Sequence, residues 1–219
     1  GSAPFAKGNR ADPTPPMQVA ALARACTGVR AFWDGPLGVN CLRNDARAAL
    51  SIAAACELDF VRVNVHTGAY VTDQGVLEGE AADTLRLRDA LGLRDRVAIL
   101  ADVLVKHAAP LAPIDARSAT ADLVFRGLAD AVIVSGEATG APVSAALLDE
   151  VMETAGAQVP VLIGSGFSAA NAAELAPRCH GAIVGTSIKQ HGRVEAPVEA
   201  ARIQALRPLA RFQSAPPRA

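Results

Sequence analysis

The chain has 219 residues, 51% hydrophobic and 20% charged, which is enough apolar material for one large core and too little polar bias for a disordered protein. Its 21 Lys and Arg nearly cancel 22 Asp and Glu, so no global positive field exists to hold nucleic acid or an anionic membrane surface. Aromatic residues at 4% leave few platforms for stacking bases, no apolar run approaches the roughly 18 residues of a membrane span, and no signal-peptide layout opens the sequence; a cytoplasmic location is expected.

Residues 1–15 read as a loop-like start without an initiating Met, leading into a helix from Pro16 to Ala31. Six apolar runs of strand length follow: LGVNCL (37–42), FVRVNV (60–65), VAILADVLV (97–105), AVIV (131–134), VPVLIG (159–164) and GAIVG (181–185). Ala- and Leu-rich helical segments separate them: Asp45 to Cys56, Glu80 to Leu91, Ser118 to Arg126, Ser144 to Thr154, Ala169 to Leu175 and Pro197 to Leu209. TGAYVTDQGVLEG (67–79) is too long for an ordinary βα loop, and its alternation around DQG predicts a hairpin lying over one end of the sheet. QSAPPRA (213–219) reads as a disordered tail. The four cysteines have neither paired metal spacing nor the density of a disulfide scaffold, and read as reduced core thiols.

Regular strand–helix alternation means a parallel sheet with right-handed crossovers, either open and doubly wound or a (β/α) barrel. A dinucleotide fold carries its glycine fingerprint at the first strand; here two apolar runs end in Gly and a hydroxyl residue, VLIGSG and AIVGTS, and they are the last two. That position matches the phosphate cradle of a (β/α)8 TIM barrel, built after its final strands. The fold class expected is therefore a single α/β TIM-barrel-type domain over 1–219, with six βα units counted as strands three to eight. The two missing units would take about 60 residues at about 30 each. An incomplete barrel either leaves an open edge or completes itself with another chain, so a homo-oligomer is one outcome.

In FVRVNVH the valines 61, 63 and 65 fall on one face, against the helices, while Arg62, Asn64 and His66 point inward and toward the mouth. The next strand places Asp102 and Lys106 on the same inner side with Leu100 and Leu104, and LGVNCLRND adds Asn40 and Asn44. Unpaired inward charges are costly, so Asp102, Lys106 and Arg62 pair with one another or with a ligand; a buried ion-pair network without chemistry is the bland alternative. Asp102 and Lys106, with Asn64 beside them, are the candidates for proton transfer next to a carbonyl, and a desolvated Lys can also form a Schiff base. Arg62, Asn40, His66, Asp73 on the hairpin and Ser135 in SGEATGAP are the candidate substrate-binding residues, although Asp73 equally fits a solvated tip and Ser135 a helix cap. Gly164, Ser165 and Gly166, with Gly185, Thr186 and Ser187, form the candidate phosphate cradle, their amides unobstructed by side chains and backed by the following helix. His66, His107, His180 and His191 have no paired ligand spacing, and neither a metal nor a cofactor is expected.

GSAPF, PLGVNCLRND, FVRVNVHTGAYVTDQGVLEG, ADVLVKHAAPL, GLADAVIVSGEATGAP, VLIGSGFSAANAAEL and GAIVGTSIK, in that order, resemble the BtpA family (BtpA/SgcQ) over nearly the whole chain. The resemblance implies a TIM barrel, and implies that the family's first strand, first helix and second strand are absent here. The resemblance also implies a departure at Leu104, where many relatives carry a polar residue, and this counts against an activity that needs one there. For function the resemblance points two ways. One is biogenesis of the photosystem I reaction centre, with a membrane complex as peripheral partner; the other is sugar metabolism. The residues favour an enzyme that isomerises, epimerises or cleaves a small phosphorylated sugar or polyol; the rival is a non-catalytic assembly or stability factor.

Overall fold

The computed structural model describes residues 12–73, 75–105, 108–136 and 143–217. Helix α1 (Pro16–Arg30) is followed by β1 (Gly38–Asn40), α2 (Ala46–Cys56), β2 (Phe60–Val63), the hairpin β3 (Ala69–Thr72) and β4 (Gly75–Glu78), and α3 (Ala81–Ala90). Then come β5 (Ala98–Val103), β6 (Ala108–Pro110), α4 (Ala116–Ala121) running into a π-helical turn Asp122–Arg126, β7 (Ala131–Val134), α5 (Ala145–Ala155), β8 (Val161–Ile163), α6 (Ala172–Leu175), β9 (Gly181–Ala182) and α7 (Ala200–Leu206). All six expected strands form one parallel sheet in the order β1-β2-β5-β7-β8-β9. Chain order equals spatial order, as in a barrel and unlike a doubly wound sheet.

The alternation in each strand sets its two faces. Val61, Val63 and Ile99 pack with α2 in one buried cluster, and Ala101, Val103, Val132, Val134, Val161 and Ile163 pack with α4 and α5 in another. On the inner face Phe60, Ala98, Leu100, Ala131, Ile133 and Leu162 make a smaller apolar group. Register puts Asn40 beside Arg62, Arg62 beside Leu100, and Asp102 beside Ile133, so the polar inner side chains sit on neighbouring strands. A cavity of about 850 Å³ opens at the opposite, N-terminal end of the strands, lined in part by Phe60, Ala98, Ala131 and Pro160.

Local chemistry explains where elements start and stop. The Asp45 side chain caps α2 by accepting the Ala48 N–H, and its other oxygen accepts the Thr14 N–H, both at 2.8 Å. Strand β5 ends at Val103, short of the expected 105, because Leu104 turns into the left-handed region at φ 48°. The helix expected from Ser118 starts at Ala116, two residues earlier, since Asp115 is its cap. The helices expected from Ala169 and Pro197 start later, at Ala172 and Ala200. The hairpin forms as expected, and the sequence reading did not anticipate β6, which joins it to make a three-stranded antiparallel sheet ordered β4-β3-β6. Gln213, in the segment read as a disordered tail, donates from its backbone to Cys179 O and from its side chain to Pro177 O. The four cysteines are free and buried, and burial pushes the Cys41 thiol up to about 12.

Candidate functional site

Four polar side chains meet on the inner face where the strands end. Arg62 on β2 grips Asp102 on β5 with two parallel bonds, Nε to Oδ1 and Nη2 to Oδ2, each 2.8 Å. Asn64 donates from Nδ2 to the same Oδ2 at 2.8 Å and accepts at its Oδ1 from Asn40 Nδ2 at 3.1 Å. Asn40 also donates to Arg62 O. The Asp102 side chain is 1% exposed and that of Arg62 17%. A fork-to-fork pair of this kind fixes the guanidinium plane as well as its position. Asp102 accepts three hydrogen bonds, one at Oδ1 and two at Oδ2, so the carboxylate holds Arg62 in place and keeps a spare acceptor site on Oδ1. Lys106, its expected partner in proton transfer, lies outside the described residues.

At the end of β7, Ser135 is 7% exposed and its buried Oγ has no hydrogen-bond partner among the described residues. Next to it, at the end of β8, Gly164 admits no side chain: a Cβ there would lie 2.5 Å from Ser135 Oγ, 2.5 Å from Ile133 Cγ2 and 3.5 Å from Arg62 Nη2. This approach of the β8 end to Arg62 and Ser135 depends on glycine.

The two glycine bends come together. Ser187, after β9, donates its hydroxyl to Phe167 O, after β8, at 2.8 Å. Gly166 takes φ +74°, and Asn171 ties off that bend by donating to Gly166 O and accepting the Ser168 N–H. The second bend closes as a tight turn over Thr186–Ile188, with open space where a Gly185 side chain would stand. Among the described residues the amides of Ser165, Gly166, Thr186 and Ser187 have no backbone acceptor, and Ser165 Oγ is buried without a partner. The backing by a following helix that the sequence predicts is absent: α6 has four residues and starts well past Gly166, and a 3₁₀ turn follows β9. What the two bends offer is backbone amides alone.

Two expected residues lie elsewhere. His66 is 1% exposed, and Nε2 donates to Gly127 O at 2.8 Å while Nδ1 has no partner among the described residues. The chain bends after β2, the inward–outward alternation lapses there, and the ring packs beside Gly127 rather than in the mouth. Burial lowers its pKa below the ordinary 6.5, against a smaller raising effect of the Gly127 bond. Asp73 sits at the hairpin tip, paired with Arg43 at 3.0 Å and 70% exposed. Asn44 clamps the Val65 backbone from both sides, donating to its O and accepting from its N–H. Asn171 was missed by the sequence reading, although the S-A-A-N spacing of 168–171 is the signature of a side chain that closes a local turn. Gln74, His107 and Thr139 lie outside the described residues. Among the described residues no three His, Cys, Asp or Glu side chains gather as a metal-binding group, and no helix is long and apolar enough to cross a membrane.

The BtpA family model matches residues 1–211. The chain belongs to the BtpA family. It is 43% identical to the photosystem I biogenesis protein BtpA of Synechocystis over 93% of this chain and 68% of that protein. It is 46% identical to an uncharacterized protein of Thermococcus kodakarensis, over 96% and 77%. Among solved structures, thiamine phosphate pyrophosphorylase from Pyrococcus furiosus superposes with a TM-score of 0.59 over 90% of this chain and 78% of that one. At 14% identity this last likeness speaks for the fold alone, a TIM-barrel-like sheet here made of six strands.

Proposed function

We propose that this BtpA-family chain is an enzyme that binds a small phosphorylated sugar or polyol at the C-terminal mouth of its sheet and moves a proton next to a carbonyl, as in isomerisation, epimerisation or aldol cleavage. The observation that carries the reading is the Ser187 to Phe167 bond, which draws the two glycine bends into one rim of unengaged amides. Phosphate is the dianion such a rim suits, since several short N–H donors can face it at once. Arg62, fixed by Asp102 and Asn64, lies beside the first bend, where it would hold a substrate oxygen. The proton-transfer group in this reading is Lys106. Thermal unfolding in rising inorganic phosphate and sugar phosphates tests it: a ligand at about 100 times its Kd adds about 2.7 kcal/mol of stability. A midpoint indifferent to all of them would remove the enzyme reading.

The second reading, an assembly factor for a membrane protein complex, is favoured by the name of the Synechocystis relative at 43% identity. It predicts that membrane subunits co-purify with the protein and that phosphate compounds leave its melting unchanged.

A further inference from the structure

We infer that Arg62 and Ser135 form a second oxygen-binding subsite beside the amide rim, one that takes a negatively charged oxygen on a planar carbon, as in a carboxylate or an enediolate. The ligand would then carry that group a few bonds from its phosphate; the inference rests on reading the two glycine bends as a phosphate cradle.

Three features converge on it. Asp102 occupies Nε and one N–H of Nη2 of Arg62, which fixes the guanidinium and leaves Nη1 with no hydrogen-bond partner among the described residues. A guanidinium nitrogen held in a fixed plane suits a charge-assisted bond to an anionic oxygen. Ser135 Oγ is buried and unpartnered, a state that costs free energy unless a ligand or ordered water completes it, whereas packing alone would be served by alanine. Both groups border the same side of Gly164, with Ser135 Oγ 2.5 Å and Arg62 Nη2 3.5 Å from the point where its Cβ would be. Gly164 opens the first glycine bend, so an oxygen held by this pair is one short step from the Ser165 and Gly166 amides.

The Arg62–Asp102 pair has no net charge, so the subsite offers oriented donors rather than excess positive charge. Donors fixed in this way stabilise an oxygen as it becomes negative without having to reorient. In this arrangement Asp102, Asn64 and Asn40 are positioning residues acting through Arg62, and Ser135 touches the ligand itself.

Calorimetric titration with inorganic phosphate, ethyl phosphate and 2-phosphoglycolate separates the parts. 2-Phosphoglycolate and ethyl phosphate share the phosphate and the two-carbon length, and only the first has a carboxylate. Binding of 2-phosphoglycolate about tenfold tighter than ethyl phosphate is expected, with Ser135→Ala abolishing most of that ratio and leaving the inorganic phosphate Kd unchanged. Arg62→Lys should do the same through loss of the fork; if it does not fold, Ser135→Ala carries the test, with circular dichroism confirming that variant's structure. Phosphate binding with a ratio near one, or a ratio that survives Ser135→Ala, overturns this inference and leaves the phosphate cradle standing. No binding of any of the three overturns both.

Discussion

Arg62 and Asp102 show how far one residue's surroundings can be read ahead. The period of two in FVRVNVH and VAILADV placed both side chains on the inner face, and both are there, bonded twice. What the pattern lacked was the partner geometry that makes Asp102 a support for Arg62, because pairing across strands depends on register. Removing one member of so buried a pair strands the other: Asp102→Ala should cost about 3–5 kcal/mol in urea unfolding, whereas Arg62→Met with Asp102→Leu should cost far less. Equal costs for the single and double variants would mean that the pair is not buried as described. His66 misled the same pattern because the strand ends at Val63 and the bend beyond it carries the ring out of phase. With a folded pKa below 6.5, this imidazole takes up its proton more readily in the unfolded chain. Stability should therefore fall as pH drops through 6.5, by up to about 1.4 kcal/mol per pH unit from this residue. His66→Gln, which keeps a donor for Gly127 O, should flatten the profile measured by unfolding at a series of pH values; an unchanged slope would assign the dependence to other groups.

Among the elements, every expected parallel strand formed, since short Val- and Ile-rich runs between Ala-rich segments have no competing fate in a parallel sheet. Boundaries drifted where a single residue outweighed the run around it, as at Leu104 and at Asp115. Strand β6 could not be foreseen: Ala108–Pro110 has poor strand propensity and exists by pairing with β3, a tertiary contact. Asp45 bears on two segments at once, so Asp45→Ala should lose both the α2 cap and the acceptor for Thr14 N–H, about 2–4 kcal/mol in all by chemical denaturation. A loss below about 1 kcal/mol would show that water replaces the carboxylate. Leu128 is strained in the left-handed region at φ 49° and is 56% exposed, so little packing is lost on replacing it. Leu128→Asn should raise stability by up to about 1 kcal/mol, measured as a higher melting midpoint.

For the whole molecule, the count of six βα units was legible because each unit repeats the same punctuation, and the sheet order follows from that count. The mouth's furnishing was legible only in outline: glycine after a strand marks a bend, but that two bends touch through Ser187 and Phe167 is a matter of curvature, which composition does not encode. Among the described residues β1 and β9 are the edges of the six-stranded sheet, and Val194, Val198 and Ile203, all more than 40% exposed, lie in the segment following β9. An unpaired edge beside apolar surface favours association. Sedimentation velocity over a concentration series should show mass rising above the monomer, and a single monomeric species throughout would mean that the edges are protected. The small antiparallel sheet has its own consequence. By pairing with β6, β3 stitches the segment after β2 to the segment after β5, and Arg43 fastens the hairpin tip to the segment after β1. Three crossings that a barrel ordinarily lets wander separately are thereby one mechanical piece, and Tyr70, the sole tyrosine, sits in its middle. Their amide hydrogens should exchange in concert, at one shared opening rate.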